Sequence, residues 1–186
     1  MAVTIDFNFR NEIIRSKFSL SYCFQCGTCS GACPVALMTK GAYNPRVLIE
    51  QSILGLKERL IESQEPNVWL CSTCQLCVEL CPQDVNLTEI FNLIKNKCVK
   101  IGNYPEGYKA QGITILENGM AVPFSPAILR RRDQLSIPKL KMAEVSEIQT
   151  ILKETEFDKK IKYDWMANNK NTSQKVQQSK NIETTT

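Results

Sequence analysis

Cys23, Cys26, Cys29 and Cys33 are followed at once by Pro34, and the same pattern returns as Cys71, Cys74, Cys77, Cys81 and Pro82, each member 48 positions later. The two runs read CFQCGTCSGACP and CSTCQLCVELCP. Eight thiols in two matching registers constrain the fold more than any apolar pattern here, because they must gather around something. Two chemistries could gather them: disulfide bonding or metal ligation. A disulfide framework belongs to short secreted chains with an even cysteine count. This chain has 186 residues and nine cysteines, and MAVTIDFNFRNEIIRSKF at its start lacks the apolar stretch of a signal peptide. A cytosolic location, where thiols stay reduced, is therefore expected, and metal ligation is the better reading.

The absence of histidine narrows the metal chemistry. Rieske centres, mixed cysteine–histidine zinc fingers and histidine-ligated haem all need imidazole, as do Ser-His and Cys-His catalytic pairs. A [4Fe–4S] cube requires four thiolates directed at the corners of a tetrahedron. A C-x2-C-x2-C loop reaches three corners, and in two-cluster ferredoxins the fourth ligand is the last cysteine of the other run, the one before proline. By that rule Cys23, Cys26, Cys29 and Cys81 hold one cluster, and Cys71, Cys74, Cys77 and Cys33 hold the other. Each proline turns the chain after the crossing ligand, since its fixed φ and missing N–H stop a helix. Two structural zinc sites are the alternative; zinc ordinarily takes C-x2-C pairs separated by a longer spacer.

Gly27 and Gly31 in the first run are expected where backbone amides approach the cluster closely or φ turns positive. The second run has no glycine and carries Leu76, Val78 and Leu80, which points to a drier setting. Between the runs, YNPRVLIEQSILGLKERL predicts a helix capped by Asn44 with Pro45 in its first position and an apolar stripe of Val47, Leu48, Ile53, Leu54 and Leu56. After Cys81, DVNLTEIFNLIKNKCVKIG predicts a second helix, capped by Asn86 and stopped by Gly102, with Leu87, Ile90, Phe91, Ile94 and Cys98 on one face. Cys98 then reads as a small buried hydrophobe rather than a ligand. Trp69 is expected to pack beside its cluster.

Further helices are predicted near 105–117, 125–135 and 145–156, punctuated by Pro123, Pro126 and Pro138. Arg130, Arg131, Arg132, Lys139 and Lys141 read as a solvated basic face, and Tyr163 and Trp165 as a tether for the end of the fold. From Asn168 onward the chain is too polar to bury itself. Strand alternation is weak throughout. The fold class that follows is mainly α: an α-helical ferredoxin with two cluster loops between helices and a helical C-terminal extension. The expected organisation is an N-terminal segment (1–18), a dicluster domain (19–104), a helical extension (105–166) and a polar tail (167–186).

The net charge of +4 is too mild for nucleic-acid binding as a main role. No apolar run approaches the roughly 18 residues of a membrane span. Cubanes with all corners held by cysteine leave no iron open to substrate. The chain also has no G-x-G-x-x-G fingerprint, no P-loop and no plant-type C-x4-C-x2-C run. It should carry electrons between partners rather than act on a substrate.

YCFQCGTCSGACP, AYNPRVLIE, WLCSTCQLCVELCPQDVNL and NYPEGY together resemble the C subunit of heterodisulfide reductase from methanogenic archaea, over about residues 20 to 110. The resemblance implies two [4Fe–4S] clusters and a soluble complex with two partners, a flavin-bearing, iron–sulfur A subunit and a catalytic B subunit. The catalytic partner would reduce CoM-S-S-CoB, the mixed disulfide of coenzyme M and coenzyme B, on noncubane clusters; its cysteine-rich CCG signature is absent here. A larger assembly with a hydrogenase or formate dehydrogenase is compatible with that role. Two alternatives stay open: the iron–sulfur subunit of another complex, from a membrane dehydrogenase or bacterial sulfur metabolism, and a zinc-stabilised interaction module.

Overall fold

Each cysteine run is followed by a capped helix, and these two helices supply seven of the sixteen residues of the core cluster. The computed structural model describes residues 4–15, 20–138 and 144–164. Among them the chain is helical, with no strand, and it divides into two compact units, 1–104 and 105–186. In the first unit the helices are α1 (Phe7–Arg15), α2 (Thr28–Gly31), α3 (Pro34–Met38), α4 (Pro45–Leu54), α5 (Leu76–Glu79) and α6 (Leu87–Lys100). A π-helical segment, Glu58–Ser63, and a 3-10 turn, Val68–Leu70, link α4 to the second run.

The start of α4 is set as its sequence predicts. Pro45 occupies the first position and the Asn44 side chain accepts the Val47 N–H at 3.2 Å. Gly55, with φ 75°, ends it earlier than the apolar pattern suggests. The stripe also rotates: Leu48 and Leu56 are buried, but Leu54 is exposed, Val47 and Ile53 are half-buried, and Ile49 takes the core position. The buried face of the helix runs through Pro45, Leu48, Ile49, Gln51 and Ser52, so Val47, Ile53 and Leu54 fall beside it, and Gly55 takes Leu56 out of the helical register. Helix α6 follows its reading closely. Asn86 accepts the Glu89 N–H, Gly102 lies just beyond the end with φ 78°, and Leu87, Ile90, Phe91, Ile94 and Cys98 are all buried.

Helix α1 is not anticipated by the sequence reading. Asp6 caps it through the Phe9 N–H at 2.9 Å, and Phe9 and Ile13 enter the core beside α4. Arg10 Nε donates to the Ile53 carbonyl at 2.7 Å, and Lys97 of α6 pairs with Glu12. Burial of Phe9 and Ile13, at about 1.5–3 kcal/mol each, outweighs what such a short helix lacks in intrinsic stability.

In the second unit the helices are α7 (Glu106–Asn118), α8 (Pro126–Gln134), α9 (Val145–Glu154) and α10 (Phe157–Lys160). Three coincide with the predicted spans, and α10 is an additional turn. Among the described residues of this unit Leu116 and Ile161 are the buried hydrophobic side chains, and Gln149 Nε2 donates to the Leu116 carbonyl at 2.9 Å. Helix α8 has no buried residue, in keeping with the solvated basic face read around Arg130, Arg131 and Arg132. Lys139, Lys141, Trp165 and the polar segment from Asn168 lie outside the described residues.

Candidate iron–sulfur centre

Both cysteine runs fold into the same loop. Gln25 and Gly27 have φ of 57° and 85°, and their counterparts 48 positions later, Thr73 and Gln75, have 53° and 65°. Gly27 and Gln75 then sit at the start of the short helices α2 and α5. Alternation of right- and left-handed residues turns successive N–H groups toward one concavity, the backbone arrangement common at anion and iron–sulfur sites. Glycine meets that demand at position 27. At 73 and 75 a threonine and a glutamine adopt the strained conformation, which only surrounding structure can hold. Gly31 does not need its glycine: its φ is not positive and a Cβ there would meet nothing within 4 Å.

Two hollows face these loops. Cys23, Cys26, Cys29 and Cys81 line one, of about 370 Å³ counted to the open solvent. Cys33, Cys71, Cys74 and Cys77 line the other, of about 320 Å³. The last cysteine of each run thus stands in the hollow of the other run. Four thiols thus wall each hollow, the donor set that a [4Fe–4S] group takes.

The thiols differ in their surroundings. Burial raises the Cys29 thiol, and burial, reinforced by Cys71 and Cys29, pushes Cys77 up to about 11. Cys26 is exposed and is lowered by the Thr28 hydroxyl and N–H. Buried thiols that resist ionisation become thiolates when a metal binds, because coordination deprotonates them outright. Donors to sulfur are in place at the first hollow. Gln25 Nε2 reaches Cys23 Sγ and the Val85 N–H reaches Cys81 Sγ, both at 3.4 Å. Arg46 Nε donates to the Gln25 carbonyl at 3.1 Å, and Lys95 Nζ to the Cys71 carbonyl at 3.3 Å. The packing of α2 on α5 puts the two hollows side by side.

The expected drier setting of the second run is not found. Cys71, Cys74 and Cys77 repeat the exposure pattern of Cys23, Cys26 and Cys29, with the middle cysteine exposed, because Leu76 and Leu80 turn outward. Trp69 is half-buried and lines neither hollow; the Lys95 ammonium lies 5.8 Å from its ring centroid. Cys98 is fully buried on α6 with Sγ 3.8 Å from the Leu60 carbonyl, as a packed apolar thiol should be. The cysteine pattern does not single out Tyr43, Arg46, Val85 or Thr88, which also line the hollows. Aligning the two capped helices, rather than the cysteines, would have found them.

Residues 19–85 match the family model for a 4Fe-4S dicluster domain. The chain is 35% identical over 153 residues to the C subunit of the H(2):CoB-CoM heterodisulfide,ferredoxin reductase of Methanothermobacter marburgensis, covering 79% of this chain and 80% of that one. It is 34% identical over 173 residues to the second iron-sulfur C subunit of the CoB–CoM heterodisulfide reductase of Methanocaldococcus jannaschii, covering 85% and 90%. The C2 subunit of the H(2)/formate:CoB-CoM heterodisulfide,ferredoxin reductase of Methanococcus maripaludis is similar at 34% over 172 residues, covering 84% and 91%. No helix among the described residues is long and apolar enough to cross a membrane. A dicluster domain, paired hollows walled by cysteine and likeness along most of the chain lead to one assignment: the protein belongs to the family of heterodisulfide reductase C subunits, the iron–sulfur electron-transfer subunits of that oxidoreductase.

Proposed function

We propose that Cys23, Cys26, Cys29 and Cys81 hold one [4Fe–4S] cluster and Cys71, Cys74, Cys77 and Cys33 the other, and that the chain relays electrons from a flavin-bearing A subunit to a catalytic B subunit that reduces CoM-S-S-CoB. The observation that carries this reading is the lining of each hollow by three cysteines of one run and the last cysteine of the other. A bound cubane supplies reversible one-electron storage with no iron open to substrate. The chain's own residues supply the setting. Eight thiols give up their protons to hold the groups, the loop N–H groups and the side chains of Gln25 and Thr28 surround the sulfurs, and Arg46 and Lys95 bring positive charge close by. Adjacent hollows suit transfer from one half to the other. The chain would be non-catalytic and cytoplasmic, and association of the complex with a hydrogenase or formate dehydrogenase fits the hydrogen- and formate-dependent names of relatives.

The test is anaerobic purification followed by metal analysis and reconstitution. Eight iron and eight sulfide per chain are expected, with reversible reduction and no turnover of the heterodisulfide. A complex lacking this chain should lose electron flow from the flavin-bearing partner to the catalytic one, while the catalytic partner still works with an artificial donor. Stoichiometric zinc without sulfide, or turnover by the isolated chain, would overturn the reading.

A further inference from the structure

The two halves of the site are related by position but not by chemistry. The cysteines correspond at an offset of 48, whereas α4 and α6 begin 42 residues apart, because α3 and its flanking turns lengthen the first connection. In that second register Pro45 pairs with Leu87, Arg46 with Thr88 and Tyr43 with Val85. The pairing holds in space: Pro45 and Tyr43 line the Cys33/Cys71/Cys74/Cys77 hollow, while Leu87 and Val85 line the other. Thr88 and Arg46 exchange in the same way. Two positions that carry hydroxyl groups at the second hollow therefore carry a guanidinium and an isopropyl group at the first.

Those hydroxyls are set in dry surroundings. Tyr43 is 1% exposed and Thr88 is 5% exposed. Thr88 Oγ1 is fully buried with no nitrogen or oxygen partner. A buried hydroxyl facing a hollow without such a partner marks a group it is built to meet, since orphaned polar groups are costly and rare. The acceptors that share this hollow with Tyr43 and Thr88 are the sulfurs of Cys33, Cys71, Cys74 and Cys77. Each half has one cation on a run carbonyl, Arg46 on Gln25 and Lys95 on Cys71, but Arg46 lines its hollow and Lys95 does not. Hydrogen bonds to cluster sulfurs favour the more negative, reduced state and so raise its potential.

We infer that Tyr43 and Thr88 are positioning residues that raise the reduction potential of the cluster held by Cys33, Cys71, Cys74 and Cys77 and leave its neighbour's unaffected, so that the relay is made of two unequal halves. The inference rests on the proposed ligation. Its test is an electron-paramagnetic-resonance redox titration of the full-length, cluster-loaded protein, with iron and sulfide counted in each sample. The second-hollow signal is assigned beforehand from a Cys74→Ser variant. Thr88→Val and Tyr43→Phe should each shift that signal's midpoint to lower potential, while the other signal stays in place and iron remains at the wild-type count. Thr88→Ser retains the hydroxyl and should restore the midpoint, which a packing role would not require. Unshifted midpoints in both Thr88→Val and Tyr43→Phe at full iron content, or equal shifts in both clusters, would overturn the inference alone. Should Tyr43→Phe lose its clusters, the Thr88→Val and Thr88→Ser pair still decides it. Wild-type protein without sulfide would instead overturn the ligation reading.

Discussion

Gly55→Ala should destabilise the first unit far more than Gly41→Ala, although both glycines have positive φ, 75° and 85°. An alanine forced into the left-handed region costs about 1–2 kcal/mol. A narrower unfolded ensemble returns roughly 0.4–1 kcal/mol of that. At Gly41 nothing lies within 4 Å of the added Cβ, so the net loss is about 1 kcal/mol. At Gly55 the new atom would sit 2.8 Å from the Asp6 carbonyl oxygen and 2.9 Å from Arg10 Cβ. Neither is the free end of a flexible side chain, so the backbone of α1 must retreat. That movement loosens the Asp6 N–H bond to the Gly55 carbonyl, 3.0 Å, and the Arg10 bond to Ile53, 2.7 Å. At about 1 kcal/mol each, these bring the loss to about 3 kcal/mol. With about 4–8 °C per kcal/mol for a unit of this size, Gly41→Ala should lower the melting temperature by one such interval and Gly55→Ala by about three. Circular dichroism of cluster-loaded protein, melted anaerobically at one scan rate, measures both; the common rate matters because unfolding with cluster loss is irreversible. Equal losses for the two variants would refute the claim that α1 is packed against this turn.

Cys33→Ser should disturb the spectrum of the cluster held by Cys71, Cys74 and Cys77, and Cys81→Ser that of the cluster held by Cys23, Cys26 and Cys29; damage within the same run would show uncrossed ligation. Cys98→Ala should leave iron and sulfide at wild-type levels and cost about 1 kcal/mol, like deletion of one buried methyl group, seen as a few degrees in thermal melting. Asp6 is held below the usual carboxylate range first by the Phe9 N–H and further by Lys57. Since its folded pKa is depressed, its contribution is present above the unfolded value of about 4 and is lost as pH falls through the lower, folded value. Asp6→Asn should therefore flatten that part of the acid limb of a stability–pH curve recorded by circular dichroism and leave the neutral-pH limb unchanged in slope.

The sequence by itself determined the features that short-range physics controls. Asn44–Pro45 and Asn86 start helices because a side-chain oxygen can reach an N–H three residues on. Leu87, Ile90, Phe91, Ile94 and Cys98 mark a buried face because the helical repeat brings them to one side. The cysteine spacing likewise announced a cluster loop. What the spacing could not determine is how the loops are held. Thr73 and Gln75 keep left-handed backbone without glycine, which their own propensities oppose and only packing against the rest of the unit enforces. Helix α1 carries too little periodic pattern in nine residues to be recognised alone; Phe9 and Ile13 acquire their role from α4. The lining of the hollows is likewise a tertiary outcome. Cys33 shares a hollow with Cys71, and Tyr43 with Thr88, across dozens of residues, and no local rule distinguishes these hydroxyls from any other tyrosine and threonine. Their meaning arises when α4 and α6 bring two different registers, 48 for the thiols and 42 for the helices, to the same pair of hollows.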